Sequence, residues 1–280
     1  MKNKFKFGLV GFNISYSRSA DIFKAIFKIK NIDGAYELYD IPPDSFDSRF
    51  PELLEDNLNG LSVTIPYKNK VIPYLFEIDP IADALGAVNS VLVKDKKFLG
   101  YNTDSYGFSL PLKEYSLMLK RGNALIFGAG GAAKAAIYSL YLDYEVDTFF
   151  IMGRNLEKLK TFKNSLNKQI DNIKINILSI EDYQSICKER YEIIVNCTPL
   201  GGWNHAGETS LPKNFNWLNG KIYYDLNYND NNRIITEAKE KSQIVIDGST
   251  MLVGQALRSF YLWTGITIAF DPVYHMVFNR

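Results

Sequence analysis

One feature constrains the fold of this chain most. It is an apolar run that turns through closely spaced glycines into an alanine-rich segment. The stretch "ALIFGAGGAAKAA" places Gly128, Gly130 and Gly131 directly after a strand pattern, with Ala133 in the third small position of a GxGxxA spacing. Glycine lets the strand turn tightly and lets the backbone approach a pyrophosphate, which the free N–H groups of a helix start can bind. A plain tight turn would also use glycine, but the order strand, turn, helix favours a dinucleotide site.

The end of the next predicted strand discriminates between the two nicotinamide dinucleotides. The run "DTFFIMGRN" has Arg154 at the place where an NAD site usually has Asp or Glu. A carboxylate would repel a 2′-phosphate, whereas a guanidinium can hold it through paired, charge-assisted hydrogen bonds. Arg154 could also be a plain surface residue at the strand end. The sequence favours NADP as the cofactor.

Strand-like and helix-like runs alternate along nearly the whole chain, from "FKFGLVG" at its start to a second series that begins at the glycines. Such alternation predicts the α/β class, with parallel sheets covered by helices on both faces. We expect two domains. Residues 1–104 and 248–280 are predicted to form one, and residues 105–247 the dinucleotide-binding one.

Charge and composition exclude several classes of protein. Among 280 residues, 32 Lys and Arg stand against 31 Asp and Glu, so no net field attracts nucleic acid or an anionic membrane. No apolar run is long enough to cross a bilayer, and the N-terminus lacks a secretory cleavage pattern. Two cysteines and two histidines without ligand spacing predict no metal site. We expect a cytoplasmic protein, monomeric or homodimeric, that acts on a small molecule.

The segment "LSVTIPYKNK" carries two polar side chains past the end of a predicted strand. Thr64 closes the strand pattern, and Lys68 falls in the first turn of a helix predicted to begin after Pro66. Open α/β sheets bind ligands at the carboxyl ends of their strands. Taken alone, however, Lys68 could be a solvated lysine, Asp104 in "NTD" a helix cap, and Asn89 in "GAVNS" a turn residue.

Several motifs together resemble the shikimate dehydrogenase family, in order and over nearly the whole chain. They are "GFNISYSRS", "SVTIPYK", "LGAVNS", "GYNTDSYGF", "GAGGAAKA", "VNCTPLGG" and "GSTMLVGQALRSFYLWTG". The resemblance implies an N-terminal α/β substrate domain completed by the C-terminal helices, plus a Rossmann-type NADP-binding domain. It also implies reversible, NADPH-dependent reduction of 3-dehydroshikimate to shikimate, in aromatic amino-acid and chorismate biosynthesis.

The resemblance further implies roles for individual residues. Lys68 and Asp104 would be the catalytic pair, with Lys68 as proton donor. The implied substrate-binding residues are Ser17, Ser19, Thr64, Asn89, Asp104, Tyr228 and Gln255. The implied cofactor-binding residues are Gly128, Ala129, Gly130, Gly131, Ala132, Arg154, Thr198, Gly248 and Met251.

Two other functions stay open from the sequence. A quinate/shikimate dehydrogenase using NAD or NADP would share nearly every site residue, and Arg154 is the main feature against NAD. A regulator that senses nucleotides could keep the fold without activity. The presence of both Lys68 and Asp104 argues against a regulator, since sensing needs neither.

Overall fold

The computed structural model describes residues 5–217, 220–229, 232–241 and 243–278. The chain divides into two compact units, Met1–Gly107 with Leu252–Arg280, and Phe108–Met251. The domain boundaries expected from the sequence, after residues 104 and 247, stay a prediction. Within the described ranges, no helix has the length and apolar character that a membrane span requires.

Each unit is built on a six-stranded sheet, which confirms the α/β class. The strands of the first unit are β1 (Phe5–Gly11), β2 (Gly34–Asp40), β3 (Gly60–Val63), β4 (Glu77–Ile78), β5 (Ser90–Lys94) and β6 (Lys97–Tyr101). Those of the second are β7 (Asn123–Phe127), β8 (Thr148–Gly153), β9 (Lys174–Ser179), β10 (Tyr191–Asn196), β11 (Gly220–Asp225) and β12 (Ile244–Ile246).

The α-helices in the described residues cover these sheets. They are α1 (Ser19–Lys30), α2 (Phe46–Glu52), α3 (Pro80–Leu85), α4 (Asp104–Ser109), α5 (Ser116–Leu119), α6 (Gly131–Leu142), α7 (Leu156–Gln169), α8 (Arg233–Glu240), α9 (Gly248–Thr264) and α10 (Phe270–Phe278).

The sheet of the first unit is mixed, so the prediction of parallel sheets is wrong there. Its order is β2-β1-β3-β5-β6-β4, and β5 pairs antiparallel with both β3 and β6. The antiparallel β5–β6 pair follows from the two-residue connection Asp95–Lys96, in which both residues adopt left-handed φ values of 50° and 55°. That conformation is typical of a type I′ hairpin, which reverses the chain direction.

An aromatic cluster packs on one face of the first sheet. Phe7 of β1 and Phe23 of α1 are fully buried and contact Phe260 and Trp263 of α9. The ring centroids of Phe7 and Trp263 are 5.1 Å apart. Two segments far apart in sequence therefore share one core, because α1 and α9 present their apolar stripes to the same strands.

The second sheet is parallel throughout, as predicted. Its order is β12-β11-β10-β7-β8-β9. Counted from β7, this is the 3-2-1-4-5-6 order of a Rossmann sheet. Neighbouring residues of β7 enter different cores, since Ala124 and Ile126 pack with α6 whereas Leu125 and Phe127 pack with α8. Both faces are thus covered, which places the end of β7 and the start of α6 at the carboxyl edge of the sheet.

Phe23→Ala should lower the free energy of unfolding by about 3–5 kcal/mol, because it removes a fully buried ring from the aromatic cluster. Equilibrium urea denaturation followed by circular dichroism measures this change. Phe76→Ala is the matched control, because Phe76 belongs to the same unit and is 65% exposed. We expect less than about 1 kcal/mol there. Equal losses in both variants would contradict the described core.

Candidate active site

Lys68 lies in a turn rather than in a helix. After β3 the chain runs through turns, and only a short 3-10 helix, Ile72–Tyr74, follows. The helix predicted after Pro66 is therefore wrong. Pro73 explains part of the difference, since proline cannot donate the hydrogen bond that a continuing helix needs. The side chain of Tyr67 is instead buried in the core, where its hydroxyl donates to the carbonyl of Ile41.

The turn brings Lys68 to Asp104. Lys68 Nζ lies 2.5 Å from Asp104 Oδ2, and the two side chains are 19% and 7% exposed. The N–H of Val88 donates to the carbonyl of Lys68 at 2.8 Å, which ties this turn to the segment just before β5. A lysine held against a largely buried carboxylate is not a solvated surface residue, and each charge offsets the desolvation of the other.

Asn89 connects Asp104 and its neighbour Thr103 to Gln255 of α9. Its Nδ2 donates to Asp104 Oδ1 at 2.9 Å, to Thr103 Oγ1 at 3.0 Å and to Gln255 Oε1 at 3.4 Å. Its Oδ1 accepts from the N–H of Thr103 at 2.6 Å. Four of the predicted residues, Lys68, Asn89, Asp104 and Gln255, therefore form one hydrogen-bonded group, which we call the lysine–aspartate group.

Asp104 is not the cap of α4, although the sequence allowed that interpretation. The side chain of Asn102 takes that position, because its Oδ1 accepts from the N–H groups of Asp104 at 3.0 Å and Ser105 at 3.4 Å. The Asn102 amide also donates to the carbonyl of Ala87 at 2.8 Å. Asn102 thereby frees the Asp104 carboxylate to face Lys68.

Ser17 and Ser19 form a second group at the start of α1. Ser17 Oγ donates to Ser19 Oγ at 3.2 Å and accepts from the N–H of Ser19 at 3.3 Å. The first turn of a helix offers free N–H groups and a favourable dipole to an anion. Thr64 follows β3 directly, and its N–H donates to the carbonyl of Val10 at 2.9 Å.

The glycine turn of the second unit fits a pyrophosphate. Gly128 has a φ of 106°, which disfavours any other residue, and its N–H donates to the carbonyl of Met152 at 3.0 Å. Gly130 precedes α6, and no heavy atom of the described residues lies within 4 Å of the place where a Cβ would stand. Gly131, Ala132 and Ala129 complete the turn. The space beside Gly130 is therefore open to an approaching oxygen.

Thr198 and Arg154 follow the two strands that flank β7. A Cβ on Gly128 would stand 3.2 Å from Thr198 Cγ2, so the loop after β10 contacts the glycine turn. Arg154 follows β8, is exposed, and precedes α7, where Asn155 caps the helix by accepting from the N–H of Lys158 at 2.9 Å. An exposed guanidinium at this edge fits a phosphate.

Three further predicted residues also lie in the second unit. Gly248 has a packing reason for lacking a side chain, because a Cβ there would collide with the carbonyl of Leu226. Met251 is buried in the core that contains α6, and Tyr228 is partly buried in the segment after β11. Their expected contacts with cofactor or substrate stay predictions.

The sequence interpretation missed a buried carboxylate that supports the loop of Thr198. Asp225 is fully buried and accepts from the side chains of Asn196, Asn227 and Asn232. Asn196 Oδ1 in turn accepts from Thr198 Oγ1 at 2.7 Å. Burial raises the pKa of the Asp225 carboxyl above its ordinary value. An aspartate that ends an apolar strand and is followed by four asparagines within seven residues is the signal that could have indicated this network.

Both units point to a dehydrogenase that uses a nicotinamide dinucleotide. Residues 9–91 match the family description "Shikimate dehydrogenase substrate binding domain", and residues 248–275 match "Shikimate 5'-dehydrogenase C-terminal domain". A shikimate dehydrogenase (NADP(+)) of Clostridium botulinum is 37% identical over 257 residues, which cover 91% of this chain and 95% of that protein.

Solved structures agree with this likeness. A chorismate mutase/shikimate 5-dehydrogenase fusion protein from Clostridium acetobutylicum superposes with a TM-score of 0.86 at 29% identity, covering 98% of this chain and 96% of that one. Shikimate 5-dehydrogenase from Thermus thermophilus, in complex with NADP(H) and shikimate, gives 0.83 at 26% identity, covering 98% of each. The chain belongs to the shikimate dehydrogenase family.

Two glycine variants separate the backbone role of the turn from its ligand role. Gly128→Ala should lower the free energy of unfolding by about 1–3 kcal/mol, because alanine is strained at positive φ. Gly130→Ala should leave stability nearly unchanged, since its φ is −121° and the added methyl meets open space. It should nevertheless weaken NADP+ binding about tenfold, because the methyl group keeps the pyrophosphate from approaching the amides closely, which costs about one hydrogen bond to a charged group. Urea denaturation and calorimetric titration with NADP+ measure both quantities, and unchanged NADP+ affinity in Gly130→Ala would contradict a pyrophosphate at this turn.

Proposed function

We propose that this protein catalyses the reversible, NADPH-dependent reduction of 3-dehydroshikimate to shikimate. The observation that carries the proposal is the lysine–aspartate group, in a chain of the shikimate dehydrogenase family whose other unit has an open glycine turn. NADPH supplies the hydride for this reaction. The protein must bind and orient the substrate and deliver one proton to the carbonyl oxygen.

Lys68 is the proton donor in this proposal. Its ammonium group can give a proton to the carbonyl oxygen as that oxygen becomes a hydroxyl, and it takes the proton back in the reverse direction. Asp104, at 2.5 Å, fixes the position of the ammonium group. Because Asn89 donates to the other oxygen of Asp104, the carboxylate is held on both sides and cannot rotate away from Lys68.

Short polar side chains orient the substrate. Shikimate has one carboxylate and three hydroxyl groups, and only one carbon may exchange hydride with the cofactor. Ser17 and Ser19 bind the carboxylate, while Thr64, Asn89 and Gln255 bind ring hydroxyls. Such a set rejects analogues that leave its buried polar groups unpaired. Tyr228 is the remaining residue proposed to contact the substrate.

The cofactor binds at the carboxyl edge of the second sheet. The glycine turn, Gly128–Ala132, holds the pyrophosphate through its amides, and Arg154 holds the 2′-phosphate. Thr198 lines the turn, and Gly248 and Met251 contact the nicotinamide part of the cofactor. We expect NADP to be preferred over NAD because a 2′-phosphate gains charge-assisted hydrogen bonds from Arg154 that a hydroxyl cannot match.

Lys68→Ala should lower kcat about 10²–10⁴-fold, the usual contribution of a positioned acid or base, with a much smaller change in KM for shikimate. Steady-state oxidation of shikimate with NADP+ measures both constants, and a thermal melt checks folding. Lys70→Ala is the control, because Lys70 is exposed two residues further along the same turn. Near-normal kcat in Lys68→Ala would refute the assignment of the proton donor.

Arg154→Ala should raise KM for NADP+ about tenfold or more and leave KM for NAD+ nearly unchanged, because the lost bonds reach only the 2′-phosphate. Lys160→Ala is the matched control, since Lys160 is an exposed cation of the following helix that pairs with Glu157. An equal effect of Arg154→Ala on both cofactors would show that the guanidinium does not select NADP.

The same assay distinguishes the alternatives. Wild-type protein is tested with shikimate and with quinate, each with NADP+ and with NAD+. Turnover of quinate comparable to that of shikimate would indicate the broader dehydrogenase. Tight binding of NADP+ without any turnover would indicate a regulator.

A further inference from the structure

Arg18 stands between the two serines that are proposed to bind the substrate carboxylate, and its side chain contacts the last helix of the described chain. Its Nη2 donates to the carbonyl of Val277 at 2.6 Å, in the last turn of α10. Its guanidinium carbon lies 4.8 Å from the centre of the Phe278 ring. Arg18 therefore binds the C-terminal end of α10 through a hydrogen bond and a cation–π contact.

The end of a helix is a favourable place for a cation. The last carbonyl groups have no partner within the helix, and the helix dipole is negative there. The guanidinium also pairs with Asp21 of α1 at 3.4 Å, but the Asp21 side chain is 51% exposed, against 30% for Arg18. Exposed ion pairs contribute little, so the contacts with α10 are the ones that hold the guanidinium in place.

A fixed Arg18 side chain also fixes the backbone of the serine segment. Arg18 occupies the N-cap position of α1, and its carbonyl accepts from the N–H groups of Asp21 and Ile22. On the other side, the N–H of Ser17 donates to the carbonyl of Ile14 at 3.0 Å. Each serine is the direct neighbour of Arg18 in the chain, so a shift of Arg18 displaces both hydroxyl groups.

Arginine is not the usual residue at the start of a helix. Ser, Thr, Asp or Asn at the N-cap position accepts from the first free N–H groups with its side chain. Arg18 makes no such bond with any described residue, and a guanidinium has donors only. It therefore cannot compete with a bound carboxylate for the N–H groups of the first turn.

We propose that Arg18 is a positioning residue for the carboxylate end of the substrate. By binding the end of α10, it holds Ser17 and Ser19 in the geometry in which their hydroxyl groups donate to the carboxylate. Arg18 acts through these serines, and its guanidinium stays on α10 when the substrate binds. The inference rests on the proposed function, which assigns the carboxylate to Ser17 and Ser19.

Arg18→Met tests the proposal, because methionine keeps much of the side-chain length but removes the charge and every donor. We expect KM for shikimate to rise about three- to tenfold, the range of one hydrogen bond. The kcat and the KM for NADP+ should stay nearly unchanged, since Lys68, Asp104 and the glycine turn are untouched. Steady-state oxidation of shikimate measures these constants, and a thermal melt checks folding.

Arg49→Met is the matched control. Arg49 belongs to the same unit and pairs with Glu52, three residues further along α2. The control thus removes the same kind of ion pair that Arg18 makes within α1, without touching α10. It should leave KM for shikimate unchanged, and a rise equal to that of Arg18→Met would overturn the role of the α10 contact.

Salt separates positioning from long-range attraction by the charge of Arg18. Salt screens the attraction between separated charges, and the screening length shortens from about 10 Å at 0.1 M to about 3 Å at 1 M ionic strength. We expect the ratio of KM values for shikimate between Arg18→Met and the wild-type protein to stay constant over this range. A ratio that falls to one at high salt would overturn positioning.

Phe278→Leu tests the contact with α10 while the charge of Arg18 is kept. It should raise KM for shikimate about twofold, the lower range of one cation–π contact. The same change made in Arg18→Met should have no effect, because the guanidinium is already gone. Unchanged KM in Phe278→Leu, or an equal rise in both backgrounds, would overturn the anchoring on α10.

A serine background shows whether Arg18 acts through the two hydroxyl groups. Ser17→Ala/Ser19→Ala should raise KM for shikimate by itself, and adding Arg18→Met should change it by less than about twofold, since no hydroxyl group is left to position. A full additional loss would overturn the positioning role and indicate a direct contact between Arg18 and the carboxylate.

The results separate the two levels of inference. Normal KM for shikimate in Arg18→Met, while Ser17→Ala/Ser19→Ala is impaired, would overturn the role of Arg18 and leave the proposed function standing. Normal KM in Ser17→Ala/Ser19→Ala would overturn the carboxylate assignment and the role of Arg18 together. Absence of shikimate oxidation by the wild-type protein would overturn the proposed function itself.

Discussion

The side chain of Asn89 is the constraint on which the lysine–aspartate group depends. One amide binds Asp104, Thr103 and Gln255, so it joins the start of β5, the start of α4 and the middle of α9. Its backbone carbonyl also accepts from Val63 at the end of β3. A buried carboxylate with an unpaired oxygen would be costly and free to turn. Because Asn89 occupies that oxygen, the other oxygen of Asp104 stays directed at Lys68.

The sequence predicted the fold correctly where the local sequence pattern and the tertiary structure favour the same backbone conformation. The glycine turn at Gly128 needs a positive φ, and strand, turn and helix occur in the predicted order. The sequence did not indicate the hairpin between β5 and β6, because Asp95 and Lys96 adopt the left-handed conformation although neither is a glycine. The helix expected after Pro66 failed for a tertiary reason, since burial of Tyr67 fixes the chain in a turn.

The site was predictable in part. Lys68, Asn89, Asp104 and Gln255 are each ambiguous alone, and only the joint resemblance to a family selected them; the structure then brought all four into contact. Residues that act through others carried no such signal. Thr103 and Asp225 are ordinary strand or cap residues in the sequence. Their importance lies in hydrogen bonds to segments distant along the chain, which neither periodicity nor spacing encodes.

The first unit is built from two segments that are separated in sequence by the second unit, and this has a consequence for synthesis on the ribosome. Phe7 and Phe23 emerge early, but Phe260 and Trp263, which cover them, are translated only after the whole of the second unit. The nascent chain therefore exposes an unfinished aromatic surface until Phe260 and Trp263 appear, whereas the second unit is contiguous and can fold as it emerges. Gln255 arrives with the same late segment, so the polar group that surrounds Asp104 is completed only after the second unit has been translated.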